Sequence, residues 1–93
     1  MRKIILASGA EYEITRCGAA EGVLWIGIPD SRIGFVEAAN VFSQPENTRR
    51  IVSTYDFDGM ETVFEGYTEL IHLDADIYDG ILRIALRKGS ETD

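Results

Sequence analysis

Ninety-three residues amount to one domain, and a chain of that length buries roughly 60–65% of its unfolded surface, enough for one modest core. Sixteen acidic residues against nine basic ones leave a net charge of −7, which excludes a general binder of nucleic-acid backbones, because that function needs positive charge to release counterions. The single cysteine, Cys17, excludes an internal disulfide and a cysteine-based metal site.

The first element expected is a strand over 2–8, rich in Ile and Leu, with a turn at Ser8-Gly9-Ala10. Glu11 to Arg16 alternates, with Tyr12 and Ile14 on one face, and reads as a second strand hairpinned to the first. Gly18 to Gly22 reads as a loop of small residues. Val23 to Ile28 is apolar on both faces, which suits a central strand covered on two sides or one side of an interface. Trp25 fits the core in the first setting and a contact surface in the second.

A helix is expected over Ser31 to Gln44. Asp30 or Ser31 would cap it, Phe35, Ala39 and Phe42 would form its core face, and Pro45 would end it. Strands follow at Arg50 to Tyr55, Glu61 to Tyr67 and Glu69 to Ile77, with turns at Asp56-Phe57-Asp58-Gly59 and Tyr78-Asp79-Gly80. Ile81 to Lys88 closes the chain with the clearest alternation, Leu82, Ile84 and Leu86 on one face and Arg83, Ala85 and Arg87 on the other. The order β-β-β-α-β-β-β-β predicts an α+β domain: a mostly antiparallel sheet, or a small barrel or sandwich, with one helix packed on it. The domain is expected to span 1–88, with a frayed tail over 89–93. No stretch approaches a membrane span, and the apolar run after Met1-Arg2-Lys3 is too short for a signal-peptide core. The cytoplasm is the compartment expected, with no membrane or nucleic-acid partner.

Catalytic chemistry finds little support. Cys17 and His72 are the classical nucleophile and imidazole, but no orienting group or oxyanion signature surrounds them. Asp56 and Asp58 before Gly59, and Asp74, Asp76 and Asp79 before Gly80, place carboxylates near a glycine as calcium loops do. Neither keeps the EF-hand spacing, and hairpin tips use aspartate to satisfy their own amides. No phosphate-binding loop is present. The expectation is therefore no enzyme, no metal and no cofactor. Asp74, Asp76 and Asp79, with Asp56, Asp58, Glu61, Glu65 and Glu69, also concentrate charge that could meet a basic groove.

One pattern is familiar. Val41-Phe42-Ser43-Gln44-Pro45-Glu46-Asn47-Thr48-Arg49-Arg50-Ile51, then Gly59, then Gly66-Tyr67-Thr68-Glu69-Leu70, resembles small proteins encoded by phages and prophages of gut clostridia. The resemblance implies a phage structural or tail-assembly protein, in the host cytoplasm or the virion, whose partners are itself and other phage proteins. The same class of genes encodes accessory inhibitors of host nucleic-acid enzymes, anti-CRISPR proteins among them, whose partner would be a basic host protein. Self-association is the first expectation, with Trp25, Ile26, Ile28 and the turn residue Phe57 as contact residues. Inhibition through Asp74, Asp76 and Asp79 is the second.

Overall fold

The computed structural model describes residues 2–55 and 59–89, and these form eight strands and two helices. β1 (Arg2–Leu6), β2 (Glu11–Ile14), β3 (Arg16–Ala20) and β4 (Val23–Pro29) precede α1 (Phe35–Phe42) and α2 (Pro45–Thr48). β5 (Arg50–Tyr55), β6 (Met60–Glu65), β7 (Glu69–Asp76) and β8 (Ile81–Arg87) follow. The fold is the α+β arrangement expected from the element order, built from two antiparallel sheets ordered β2-β1-β5-β6 and β3-β4-β8-β7.

The two sheets are joined by one bent stretch of chain. β2 pairs with β1 in the first sheet, the chain bends at Thr15, and β3 pairs with β4 in the second. The Thr15 amide donates to the Gly27 carbonyl at 2.8 Å, so the ladder to β4 begins at the bend itself. The expected loop over Gly18 to Gly22 is thus mostly strand. Small residues have poor intrinsic strand preference, but pairing with β4 overrides it, and Gly18 lies opposite Trp25, whose ring can cover the bare backbone. The true loop is Glu21-Gly22, with φ of 54° and 81°. Two successive positive values are what a two-residue hairpin loop requires to match the strand twist, and glycine adopts one of them without strain.

The core forms where the inward faces of both sheets meet. Ile4 and Leu6 of β1, Ile14 of β2 and Ile51 of β5 face Leu24, Ile26 and Ile28 of β4 and Leu82, Ile84 and Leu86 of β8. These side chains occur at alternate positions, as the strand period dictates. Fully burying each contributes roughly 1.5–3 kcal/mol.

The helical region departs from the expected single helix. α1 begins at Phe35, capped by Gly34 without any side-chain hydrogen bond, and Asp30 and Ser31 lie in the turn before it. Its inward face is Ala38 and Phe42, with Val41 beside them, whereas Phe35 is 47% exposed. The inward stripe therefore starts at Ala38, one turn later than expected. Phe42 meets Tyr12 of β2 with ring centroids 6.2 Å apart, while α1 also packs on β7, so the helix bridges both sheets. Pro45 does end α1, and it also starts α2 at a position where proline's missing amide costs nothing. Asn47 ties this corner down: its side-chain amide donates to the Val41 carbonyl at 3.0 Å, and its carbonyl accepts from Ala7 at 3.0 Å. At the C-terminal end the Gly89 amide donates to the Gly66 carbonyl at 3.0 Å, so backbone hydrogen bonding reaches one residue into the expected tail.

Candidate functional site

The outer face of the β3-β4-β8-β7 sheet gathers the residues with most chemical character. Register decides its membership. Across the sheet, one row runs Gly18, Trp25, Ala85, His72, and the next runs Arg16, Gly27, Arg83, Asp74. Trp25 and His72 stand on either side of Ala85, and their rings meet over its small side chain with centroids 5.8 Å apart. Ala85 is fully buried beneath them although it belongs to the outer face. Trp25 remains 40% exposed. It is therefore a covered but accessible ring at the centre of a face, and the alternative of a core tryptophan is excluded.

His72 reaches that row through a bulge. β7 pairs Leu70 with Leu86 and then His72 with Ala85, so Ile71 is an extra residue. Plain alternation from Glu69 would have turned Ile71 outward over Ala85 and His72 inward. The bulge reverses this parity, and it also aims Asp74 and Asp76 outward.

Ion pairs surround the ring pair. The Arg83 guanidinium donates to both Asp74 carboxylate oxygens at 2.8 and 2.9 Å, and Arg87 does the same to Glu69 at 3.0 Å through each of its two nitrogens. His72 Nε2 lies 2.9 Å from Asp74 Oδ2. The Arg83 hydrogen bonds, then that of His72, hold the Asp74 carboxyl below its ordinary value, and the Arg87 hydrogen bonds do so for Glu69. The pairs are forked and geometrically specific, but their exposure to solvent leaves each contributing little to stability.

Beside Trp25 a cleft of about 350 Å³ opens over Gly27. Thr15, Arg16, Ile81, Arg83, Asp76 and Asp79 line it, with Arg16 and Arg83 on opposite sides of Gly27 and Asp76 and Asp79 near Arg83. Gly27 is bare for a steric reason: a Cβ there would lie 2.8 Å from Thr15 Oγ1. Asp76 shapes the rim by accepting from the Tyr78 and Asp79 amides at 3.0 and 3.2 Å.

Of the residues expected to form contacts, Trp25, Asp74, Asp76 and Asp79 are brought to this face or its rim. Ile26 and Ile28 are not: they alternate with Trp25 and are fully buried between the sheets, which removes them as surface contacts. Phe57 lies outside the described residues, as do Asp56 and Asp58. Asp74 is engaged by Arg83 and His72 and Asp76 by backbone amides, and among the described residues no three His, Cys, Asp or Glu side chains converge as a metal site. Cys17 and His72 are not brought together. Cys17 points between the sheets, where burial pushes its thiol up, opposed by a hydrogen bond with Ser53 and the nearby Arg2, while His72 is outside. Sequence reasoning missed Arg16, Gly27, Arg83 and His72 as members of the site. A signal for the face was present: Leu24, Ile26 and Ile28 are uniformly aliphatic, so Trp25 and Gly27 share the opposite parity.

No family model, curated protein or solved structure matches this chain. No helix among the described residues is long and apolar enough to cross a membrane.

Proposed function

We propose that this is a non-enzymatic structural or assembly protein, of the phage tail-module kind, that works by self-association through the outer face of the β3-β4-β8-β7 sheet. The observation that supports the reading is Trp25: an accessible tryptophan held at the centre of a face and ringed by forked ion pairs. Central aromatic anchors inside a polar rim are the anatomy of interface hot spots. The face carries both signs of charge, Arg16, Arg83 and Arg87 against Glu69, Asp74, Asp76 and Asp79, so a second copy can meet it with far less repulsion than the overall −7 suggests.

The reading as an acidic inhibitor of a basic host enzyme draws less from the geometry, because Asp74 is already paired with Arg83 and Asp76 with its own turn. The test is solution mass by light scattering over a range of protein and salt concentration. An oligomer that persists in high salt and falls to monomer in Trp25→Glu, with circular dichroism unchanged, is the expected result. A wild-type chain that stays monomeric at millimolar concentration sinks the reading.

A further inference from the structure

The β7–β8 turn presents two large apolar side chains to solvent, Ile77 at 83% and Tyr78 at 94% exposure. The turn that carries them is pinned. Asp76 Oδ1 accepts from the Tyr78 and Asp79 amides, the Gly80 amide donates to the Asp76 carbonyl at 2.8 Å, and the Gly80 carbonyl accepts from Asp30 at 2.8 Å. An exposed aromatic on a rigid backbone loses little further freedom on binding, which is the condition for an effective anchor. The same turn supplies one wall of the cleft beside Trp25, through Asp76 and Asp79. Tip and cleft are therefore neighbours on one edge of one face.

We infer that the cleft over Gly27 is the socket for Tyr78 of a second copy, and that two chains exchange these tips across a two-fold axis. A two-fold contact requires a surface to carry both halves of a complementary pair, and here the donor and the receptor lie side by side. The chemistry of the socket suits a phenol. Trp25 offers a ring for edge or offset stacking, the Arg16 guanidinium lines the socket and is placed to donate to the hydroxyl or lie over the ring, and the Asp79 carboxylate can accept a hydrogen bond from the hydroxyl. The area falls at the low end of what an interface needs. Burying a tyrosine removes roughly 150–250 Å²; two of them, with a similar area of socket wall, supply roughly 600–1,000 Å², and Ile77 adds to it, against the ~1,000 Å² that a specific interface needs.

The inference rests on the proposed self-association of this face, and the experiment separates the two. Full-length protein, labelled and unlabelled in equal parts, is examined by isotope-filtered NMR, and dimer affinity is measured by sedimentation for wild type, Tyr78→Ala, Tyr78→Phe and Trp25→Glu. The expected result is intermolecular contacts between the Tyr78 ring and the Trp25 indole, with the dimer Kd raised at least tenfold in Tyr78→Ala and less in Tyr78→Phe. Circular dichroism should not change in the Tyr78 variants, since the side chain has no part in the core. A dimer broken by Trp25→Glu but indifferent to Tyr78→Ala, or one without intermolecular Tyr78 contacts, overturns the inference and leaves the proposed function standing. A wild-type monomer overturns both.

Discussion

The two sheets share one core and differ on their outer faces. The face of β3-β4-β8-β7 has Trp25 over Ala85 and a rim of forked ion pairs. The face of β2-β1-β5-β6 has Ile5, Val52 and Val63 in one row, flanked by Lys3, Glu11, Glu13, Glu61 and Glu65. Its pairs are single-contact, Lys3 with Glu11 at 3.0 Å and Arg50 with Glu65 at 3.6 Å, and its edge strand β6 is exposed along most of its length. The same period of two built both sheets. What distinguishes them is the identity of the residues left outside: an aromatic anchor with pre-arranged partners on one, short apolar side chains among dispersed acids on the other. Charges along an exposed edge such as β6 discourage strand-to-strand aggregation. One face is thus suited to contact and the other to solvent.

The largest test of this contrast is at the shared core. Ile84→Ala removes a fully buried side chain between the sheets and should cost about 2–5 kcal/mol by urea unfolding. Val63→Ala, on the outer face of the other sheet, should cost less than ~1 kcal/mol. Equal effects would mean that the inward and outward assignments are wrong.

A smaller effect is expected at the floor of the cleft. Gly27→Ala places a methyl against Thr15 Oγ1 and should cost about 1–3 kcal/mol. Thr15→Ala removes the obstructing hydroxyl, so the double variant should recover part of that loss, seen as a coupling energy in a double-mutant cycle. Additive single effects would show that the glycine is there for another reason.

The smallest effect is in acid. Asp74 and Glu69 have carboxyls lowered in the folded state, so the stability they contribute is present above the unfolded carboxylate value and is lost as pH falls through the lowered folded one. Glu69→Gln should therefore leave a shallower decline of Tm below the ordinary carboxylate range while changing Tm little at neutral pH. An unchanged acid slope would remove the Arg87 pair from the account.

Much of the strand pattern was legible because burial enforces alternation. Ile81 to Lys88 is the best case: inward Leu82, Ile84 and Leu86 and outward Arg83 and Arg87 follow from period two alone, and the first hairpin followed from Tyr12 and Ile14 in the same way. The site was legible only in fragments. Trp25 and the acids of the second turn stood out by residue type, but their partners did not, because Arg16, Arg83 and His72 become neighbours only through pairing between strands distant in sequence. Ile26 and Ile28 were misplaced because the whole apolar run was offered as one side of an interface, whereas alternation puts only Trp25 of the three outside.

The sequence by itself determined the class of fold, the apolar positions of the core and the turns that glycine and aspartate punctuate, because these depend on local period and local sterics. Only the tertiary structure decided that small residues 18–20 would be strand, since β4 supplies the hydrogen bonds their own propensity does not favour. It alone decided that α1 would bury Ala38 beside the expected Phe42 while leaving Phe35 outside, since packing on the sheets sets which turn is covered. It alone decided the outward turn of His72, because one inserted residue at Ile71 inverts every side chain after it, and an inversion of parity is written in the pairing of two strands rather than in either one.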